Sequence, residues 1–364
     1  MKRDLIVFGE DFNGLPSSTQ YLIKNLSHNR KVLWINSIGL RQPKLNLIDI
    51  KRSCSKIFCK KQTDSLLKNI TVVNLKTIPA PHSILGRKIA KYLMLYQLKP
   101  ILKQLQLNKP ILWCSLPTAV DLCGYLGESK IIYYCGDDFN SLAGVDHNSV
   151  IKHEQKMIKK ANLIFSASKE ILLKFPISKR QLLPHGVEFK LFNTPVPRAI
   201  DLPNNGRPTA GFYGSISNWL DYEMLDKVTK NNQNWNFVFI GPQQLKPSLL
   251  PTYKNVYYLG KKQHHQLPQY SQHWNVSLLP FKLNPQILSC NPLKLMEYLV
   301  VGNPIISTPF PALTPFKHLI NIVKNSEEMS RVLLKPLKKN QHNIIKYHSW
   351  KERSIFVDSI LERI

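Results

Sequence analysis

The chain has 364 residues, a length that suits two domains of ordinary size. At 43% hydrophobic and 20% charged residues its composition is globular, which excludes a disordered or fibrous chain. Lys and Arg number 50 against 23 Asp and Glu, a formal net charge of +27; unless this is a general bias toward lysine, it calls for anionic partners such as nucleic acid, phosphorylated substrates or anionic lipid.

Met1-Lys2-Arg3-Asp4 is followed by only Leu5 to Gly9 before Glu10, too short a run for a signal peptide. No apolar run approaches the ~18 residues of a spanning helix, so the chain is expected to be soluble or bound to a membrane surface. Leu5 to Phe8 reads as a strand, and Gly9 to Pro16 as a loop. Within that loop Asn13 and Gly14 either approach an acceptor or pyrophosphate, or make a tight turn. Ser17 or Ser18 caps a helix carrying Tyr21, Leu22 and Leu26. Strands follow at Val32–Ile35, Ile70–Val73, Ile111–Cys114, Ile131–Tyr134 and Leu163–Ser166, with helical patterns between most of them. This alternation predicts a parallel, doubly wound sheet.

Between Arg41 and Lys109 fifteen Lys or Arg face only Asp49 and Asp64, and apolar side chains interleave from Ile84 to Leu98. The stretch is either a solvated basic face or a surface that binds anionic lipid by charge and apolar burial together. Of the six cysteines (Cys54, Cys59, Cys114, Cys123, Cys135 and Cys290) none sits in a CxxC pair or beside a histidine cluster at zinc spacing. Cys114 and Cys135 read as buried thiols in a reducing compartment. Asp137 and Asp138 close an apolar strand; one of them positions or deprotonates an acceptor hydroxyl, or the pair forms an Asx turn. His185, before Gly186, is expected to make a structural hydrogen bond, and His264 and His265 to be solvated.

Thr194 to Pro208 holds four prolines and Asn204-Asn205, and reads as an interdomain linker. The strand pattern then restarts at Ala210–Tyr213, Phe237–Ile240, Val256–Leu259, Val276–Leu279 and Ile305–Ser307. Gly214, Gly241 and Gly260 fall at the ends of the first three, where ligands of such sheets bind and where glycine lets backbone approach a pyrophosphate. From Asn291 a helix start is predicted, with Asn291 as cap, Pro292 and Leu293 in the first turn, and Gly302 and Pro304 ending it. Lys294 and Glu297 share one face. They are either a surface ion pair, or a phosphate cation at a helix N-terminus with a carboxylate for ribose hydroxyls.

Taken in order, Gly211-Phe212-Tyr213-Gly214, Trp219-Leu220-Asp221, Ile240-Gly241-Pro242, Tyr258-Leu259-Gly260, Asn291-Pro292-Leu293-Lys294, Glu297-Tyr298 and Gly302-Asn303-Pro304 resemble glycosyltransferase family 4. The resemblance is to the bacterial branch that builds teichuronic acid and other surface polysaccharides. Tyr133 to Asp138, Glu154, Pro184 to Glu188, and Ser349-Trp350-Lys351-Glu352-Arg353 agree with it, so it covers nearly the whole chain. The resemblance implies an α/β fold of two Rossmann-like, doubly wound lobes facing a central cleft (GT-B), with a C-terminal helix packing back on the N-terminal lobe. The expected bounds are 1–195 for the acceptor lobe, 196–207 for the linker, 208–345 for the nucleotide lobe and 346–364 for the returning helix. It further implies an NDP-sugar donor, retention of configuration and no obligatory metal or other cofactor. Glu297 matches the second carboxylate of the family's E-x7-E element, which binds the donor ribose; Ser289 stands where the first would fall. The cation usual after the Gly214 turn is absent from Ser215 to Leu220, which makes Lys294 the candidate for that role.

The expected function is transfer of a sugar from an NDP-sugar to a lipid-linked or polysaccharide acceptor, on the cytoplasmic face of an anionic membrane. Two competing readings are a basic nucleic-acid-binding protein and a sugar-nucleotide epimerase. The first is disfavoured because no helix-turn-helix, zinc or RNA-binding signature accompanies the charge, so no nucleic-acid partner is expected.

Overall fold

The computed structural model describes residues 2–14, 16–36, 68–78, 83–141, 147–337, 339 and 343–364. Residues 37–67 and 79–82, which include Cys54, Cys59 and much of the basic stretch from Arg41, lie outside them. The chain divides into two compact units, residues 1–184 with 350–364, and residues 185–349.

The first unit is a seven-stranded parallel sheet in the order β3-β2-β1-β4-β5-β6-β7. Its strands are β1 Leu5–Gly9, β2 Val32–Asn36, β3 Ile70–Val73, β4 Ile111–Cys114, β5 Lys130–Cys135, β6 Leu163–Ser166 and β7 Arg180–Leu182. Near-continuous apolar runs such as those of β1 and β4 suit strands covered on both faces, and every residue of both is buried. Only β7 escaped the sequence reading, because Arg180-Gln181-Leu182 is a short polar edge without an apolar run. Helix α1 (Ser18–Leu26) starts at Ser17, whose hydroxyl accepts from the Gln20 amide while the Gln20 side chain accepts from Ser17, a closed capping box. Helices α2 (Ile84–Leu105) and α3 (His147–Lys160) follow. The last helix, α7 (Trp350–Arg363), returns to this unit as expected. Trp350 stacks on Tyr21 with ring centroids 5.2 Å apart, and the buried Arg30 guanidinium donates to Asp358 at 2.6 Å and to Glu362 at 2.5 Å.

The second unit is a six-stranded parallel sheet in the order β10-β9-β8-β11-β12-β13. Its strands are β8 Thr209–Tyr213, β9 Asn236–Ile240, β10 Val256–Tyr258, β11 Val276–Leu279, β12 Ile305–Ser307 and β13 Asn321–Ile322. The two-residue β13 is again too short for a pattern to register. Helices α4 (Phe189–Asn193), α5 (Tyr222–Asn231) and α6 (Leu293–Val301) pack around it. The stretch expected to be a free linker, 196–207, belongs to this unit. Ala199 and Leu202 join its core together with Val187 and Phe192, and the Ala199 amide donates to the Gln269 carbonyl. Proline content marked an irregular backbone there, which is compatible with a packed, hydrogen-bonded segment as well as with a linker.

The centre of the second sheet depends on Gly211, since a Cβ at that position would lie 1.8 Å from the Trp274 ring. Gly211→Ala is therefore expected to cost about 1–3 kcal/mol through overpacking, read as a lower midpoint of urea unfolding at unchanged slope.

Candidate functional site

The carboxyl ends of β8, β9 and β10 close on glycines in conformations that other residues rarely adopt: Gly214 at φ 134, Gly241 at φ 143 and Gly260 at φ 69. Their backbones are tied together. The Gly214 amide donates to the Ile240 carbonyl and the Gly241 amide to the Gly260 carbonyl, each at 2.9 Å. A Cβ on Gly241 would lie 1.9 Å from the Gly214 oxygen, so the two turns lie directly against each other.

Helix α6 begins at this edge. The cap falls on Pro292 rather than Asn291: Pro292 is extended (φ −72, ψ 122), no side chain caps the helix, and Leu293 opens the first turn. The extended backbone at proline moves the start one residue later than its first-turn preference led the sequence reading to expect. The far end is as expected, with Gly302 left-handed at φ 78. Lys294 lies across the Gly214 turn, where a Cβ would meet its Cε at 2.6 Å, and its Nζ stands 5.5 Å from the ring centres of both Phe212 and Phe281. Burial lowers the Lys294 pKa, and the Glu297 carboxylate opposes that shift. Lys294 and Glu297 do not form the expected alternative of a surface ion pair, for Glu297 is nearly buried and bonded elsewhere.

Its partner is His264, which sequence reasoning took as solvated. His264 Nε2 is 2.8 Å from Glu297 Oε1, and Nδ1 is 3.1 Å from Glu188 Oε2. Burial opposes charge on this ring, but hydrogen bonds from Glu188 and Glu297, reinforced by their charges, outweigh it and raise its pKa to about 10. Tyr213, the last residue of β8, completes the floor. It packs edge-on to Tyr298 at 4.8 Å, and its backbone N–H donates to the Tyr298 hydroxyl. The Tyr213 hydroxyl is buried with no hydrogen-bond partner among the described residues, although Glu297 and Ser271 lie close enough to affect its titration. No spacing in the sequence connects His264 or Tyr213 to α6; the fold alone brings them there.

In the first unit the carboxyl edge gathers a second set of groups. Glu10, just beyond β1, accepts from the Ser17 hydroxyl at 3.0 Å, and burial raises its pKa. Dehydration of its carboxyl, then the charges of Glu10 and Asp138, raise the pKa of Asp137, beyond β5, to about 6. Asp138 takes the turn role: it accepts from the Asn140 amide at 3.1 Å and the Ser141 hydroxyl at 3.0 Å, and pairs with Lys174. Burial alone would raise its pKa, but these partners hold it below the usual carboxylate range. The Gly14 amide donates to the Asp11 carbonyl at 2.8 Å, so the loop that carries Asn13 and Gly14 makes a tight turn just beyond β1. Glu10 was not singled out in the sequence, though its place just after the first strand is where such sheets present side chains to ligands. Among the described residues no three His, Cys, Asp or Glu are placed to hold a metal ion.

Two parallel Rossmann-like sheets of seven and six strands define the class: the fold is that of the GT-B glycosyltransferases. No family model matches the chain. It is 26% identical over 221 residues to a Bacillus subtilis (strain 168) protein provisionally named a teichuronic acid biosynthesis glycosyltransferase, TuaH. The match covers 55% of this chain and 56% of that protein, so the chain spans little more than half of that relative's length. Among solved structures, Anabaena HepE in complex with UDP and glucose aligns over 98% of this chain and 95% of its own, with a TM-score of 0.62 and 11% identity. The Thermosynechococcus elongatus sucrose-phosphate synthase aligns over 100% and 99%, at 0.70 and 13% identity. A trehalose-6-phosphate protein from E. coli, bound with UDP-2-fluoro glucose, aligns over 99% of both chains at 0.69 and 12% identity. At these identities the likeness is one of fold.

The placement of Lys294 and Glu297 at three glycine-closed strand ends gives an expected outcome for each. Lys294→Ala and Glu297→Ala should each weaken binding of a nucleoside diphosphate by about 1.5–3 kcal/mol, the worth of a charged hydrogen bond, while leaving the fold intact. Calorimetry with UDP measures it; unchanged affinity in both variants would remove α6 from the site.

Proposed function

We propose that the protein is a glycosyltransferase that takes a sugar from a nucleoside diphosphate carrier, with the nucleotide held by the second unit. The observation that carries this reading is the placement of a half-buried lysine and a buried carboxylate in the first turns of α6, with Lys294 lying across the Gly214 turn. Lys294 and the adjoining helix N-terminus stabilise the negative charge that grows on the departing diphosphate. Glu297 accepts hydrogen bonds from the ribose hydroxyls. The donor class accords with the UDP and UDP-sugar bound to the Anabaena and E. coli proteins of the same fold. With a resident cation supplied by Lys294, the reaction proceeds without a divalent metal. Asp137 positions the acceptor hydroxyl, its pKa of about 6 placing the carboxylate in its ionised form above neutrality. Retention follows from the family resemblance, as does a growing surface glycan as acceptor, and the similarity to the B. subtilis protein supports the glycan.

Thermal shift against a panel of nucleoside diphosphates and their sugars tests the donor reading, because a ligand bound only by the native state raises stability by RT ln(1 + [L]/Kd). Expected are a rise with at least one such nucleotide, none with duplex DNA at physiological salt, and transferase turnover that persists in EDTA. Loss of turnover in EDTA with recovery in Mn²⁺ would overturn the metal-independent part, and release of an epimerised sugar would favour an epimerase.

A peripheral membrane position on the cytoplasmic face belongs to the same proposal. No described helix is long and apolar enough to cross a membrane. Helix α2 instead exposes Ile84, Leu85, Tyr92 and Tyr96, the last at 83%, beside Lys88, Lys91 and Lys99. Lys88 and Lys91 line one cavity with Lys156 and Lys159 of α3. Arg87 is committed to Asp121, so charge reversal there would break an internal pair. Lys88→Glu with Lys99→Glu is the cleaner change, and is expected to lower co-sedimentation with anionic liposomes, which should also fall steeply with salt. Equal pelleting with neutral liposomes would make the face an ordinary solvated surface.

A further inference from the structure

Glu297 is a single carboxylate at the end of a side chain with three rotatable bonds, and the half of the family's acidic pair at Ser289 is missing from this chain. A group of opposite charge must hold it if it is to present an oxygen in a fixed direction. The loop after β10 supplies the means. Gln263 and Gln266 close a capping box, with the Gln263 amide donating to Gln266 Oε1 at 3.0 Å, and this fixes the short turn that begins at His264. The Phe192 ring packs against the imidazole with centroids 5.5 Å apart, and so limits its rotation. Both ring nitrogens then meet carboxylates, Nδ1 at Glu188 and Nε2 at Glu297. A ring that bonds two ionised carboxylates donates from both nitrogens, so it is the cationic form that fits. The contact with Glu297 uses Oε1.

We propose that His264 is a positioning residue for the donor nucleotide: clamped to Glu188, it holds Glu297 by Oε1 so that Oε2 is directed to the ribose hydroxyls. This rests on the reading of Glu297 as the ribose ligand and adds to it the residue that fixes the direction of that carboxylate. A second carboxylate at position 289 would repel Glu297 or need its own cation, whereas an imidazolium neutralises Glu297 in part and costs no like-charge repulsion. The charge on the ring also offsets the dehydration of a carboxylate that is only 9% exposed.

The test is a double-mutant cycle read by calorimetry with two probes, UDP and its 2′,3′-dideoxy analogue. His264→Gln and Glu297→Gln are each expected to weaken UDP by about tenfold, the double variant to be no weaker than Glu297→Gln alone, and neither change to alter affinity for the dideoxy analogue. A role confined to holding the loop together would weaken both probes equally, and would add to the loss from Glu297→Gln; either result overturns the proposal. Glu188→Gln serves as the milder variant should His264→Gln fold poorly, with a smaller loss in the same direction and again only for UDP. If Glu297→Gln leaves UDP affinity unchanged, the ribose reading itself falls, and that outcome is distinct from one in which Glu297 matters and His264 does not.

Discussion

Where β8 and β9 run out, the backbone of Gly241 presses on the carbonyl of Gly214 so closely that a Cβ would stand 1.9 Å from that oxygen. Both residues sit at φ values, 143 and 134, that a side chain rarely tolerates. This contact keeps two neighbouring strand ends close together, with no side chain standing between them. Lys294 can lie across the Gly214 turn only because Gly214 has no side chain, as its Cε would stand 2.6 Å from one. Helix α6 is thereby brought close enough for its first turn to share the edge with the strands. Any residue other than glycine at 214 or 241 would move the lysine, the helix start, or both.

Charge follows from that packing. Lys294 Nζ stands over the rings of Phe212 and Phe281, where dehydration weakens its hold on a proton and the rings offer only partial compensation. A phosphate would be a better partner than either. Glu297 is bonded to His264, and its charge acts on the buried Tyr213 hydroxyl, which has no hydrogen-bond partner among the described residues. The edge thus brings together a cation and an anchored anion from one helix turn and a buried tyrosine hydroxyl from the end of β8. Clusters of perturbed groups at strand ends are the usual mark of a ligand site in sheets of this kind.

Much of this was legible in the sequence, and the exceptions have physical causes. Strand runs such as Leu5–Phe8 and Phe237–Ile240 are apolar because both faces of a parallel sheet are covered, so period and composition reveal them. Glycine after a strand is equally plain, and Gly214, Gly241 and Gly260 were placed correctly at strand ends. Arg180–Leu182 and Asn321–Ile322 have no such pattern, because an edge strand needs little apolar cover. The cap of α6 was misplaced by one residue, since Asn291 and Pro292 both carry start signals and only the backbone angles decide between them. His264 is the most instructive case. Its neighbours Lys261, Lys262, Gln263, His265 and Gln266 are polar, so the segment reads as a solvated loop, and the two carboxylates that claim it lie 76 residues before it and 33 after it (264 − 188 and 297 − 264). Asp137 and Asp138 look alike in sequence; only the placement of Lys174, Asn140 and Ser141 assigns Asp138 to the turn.

Hydrogen–deuterium exchange of the whole protein, with and without saturating UDP, reads backbone protection at the glycine-closed edge itself. A nucleotide held at that edge slows exchange at residues 214–216, at 241–243, at 260–264 and through the first turns of α6 at 293–298, and leaves the strands of the first unit unchanged. Protection confined to the first unit, or none at any of these strand ends, would contradict that placement.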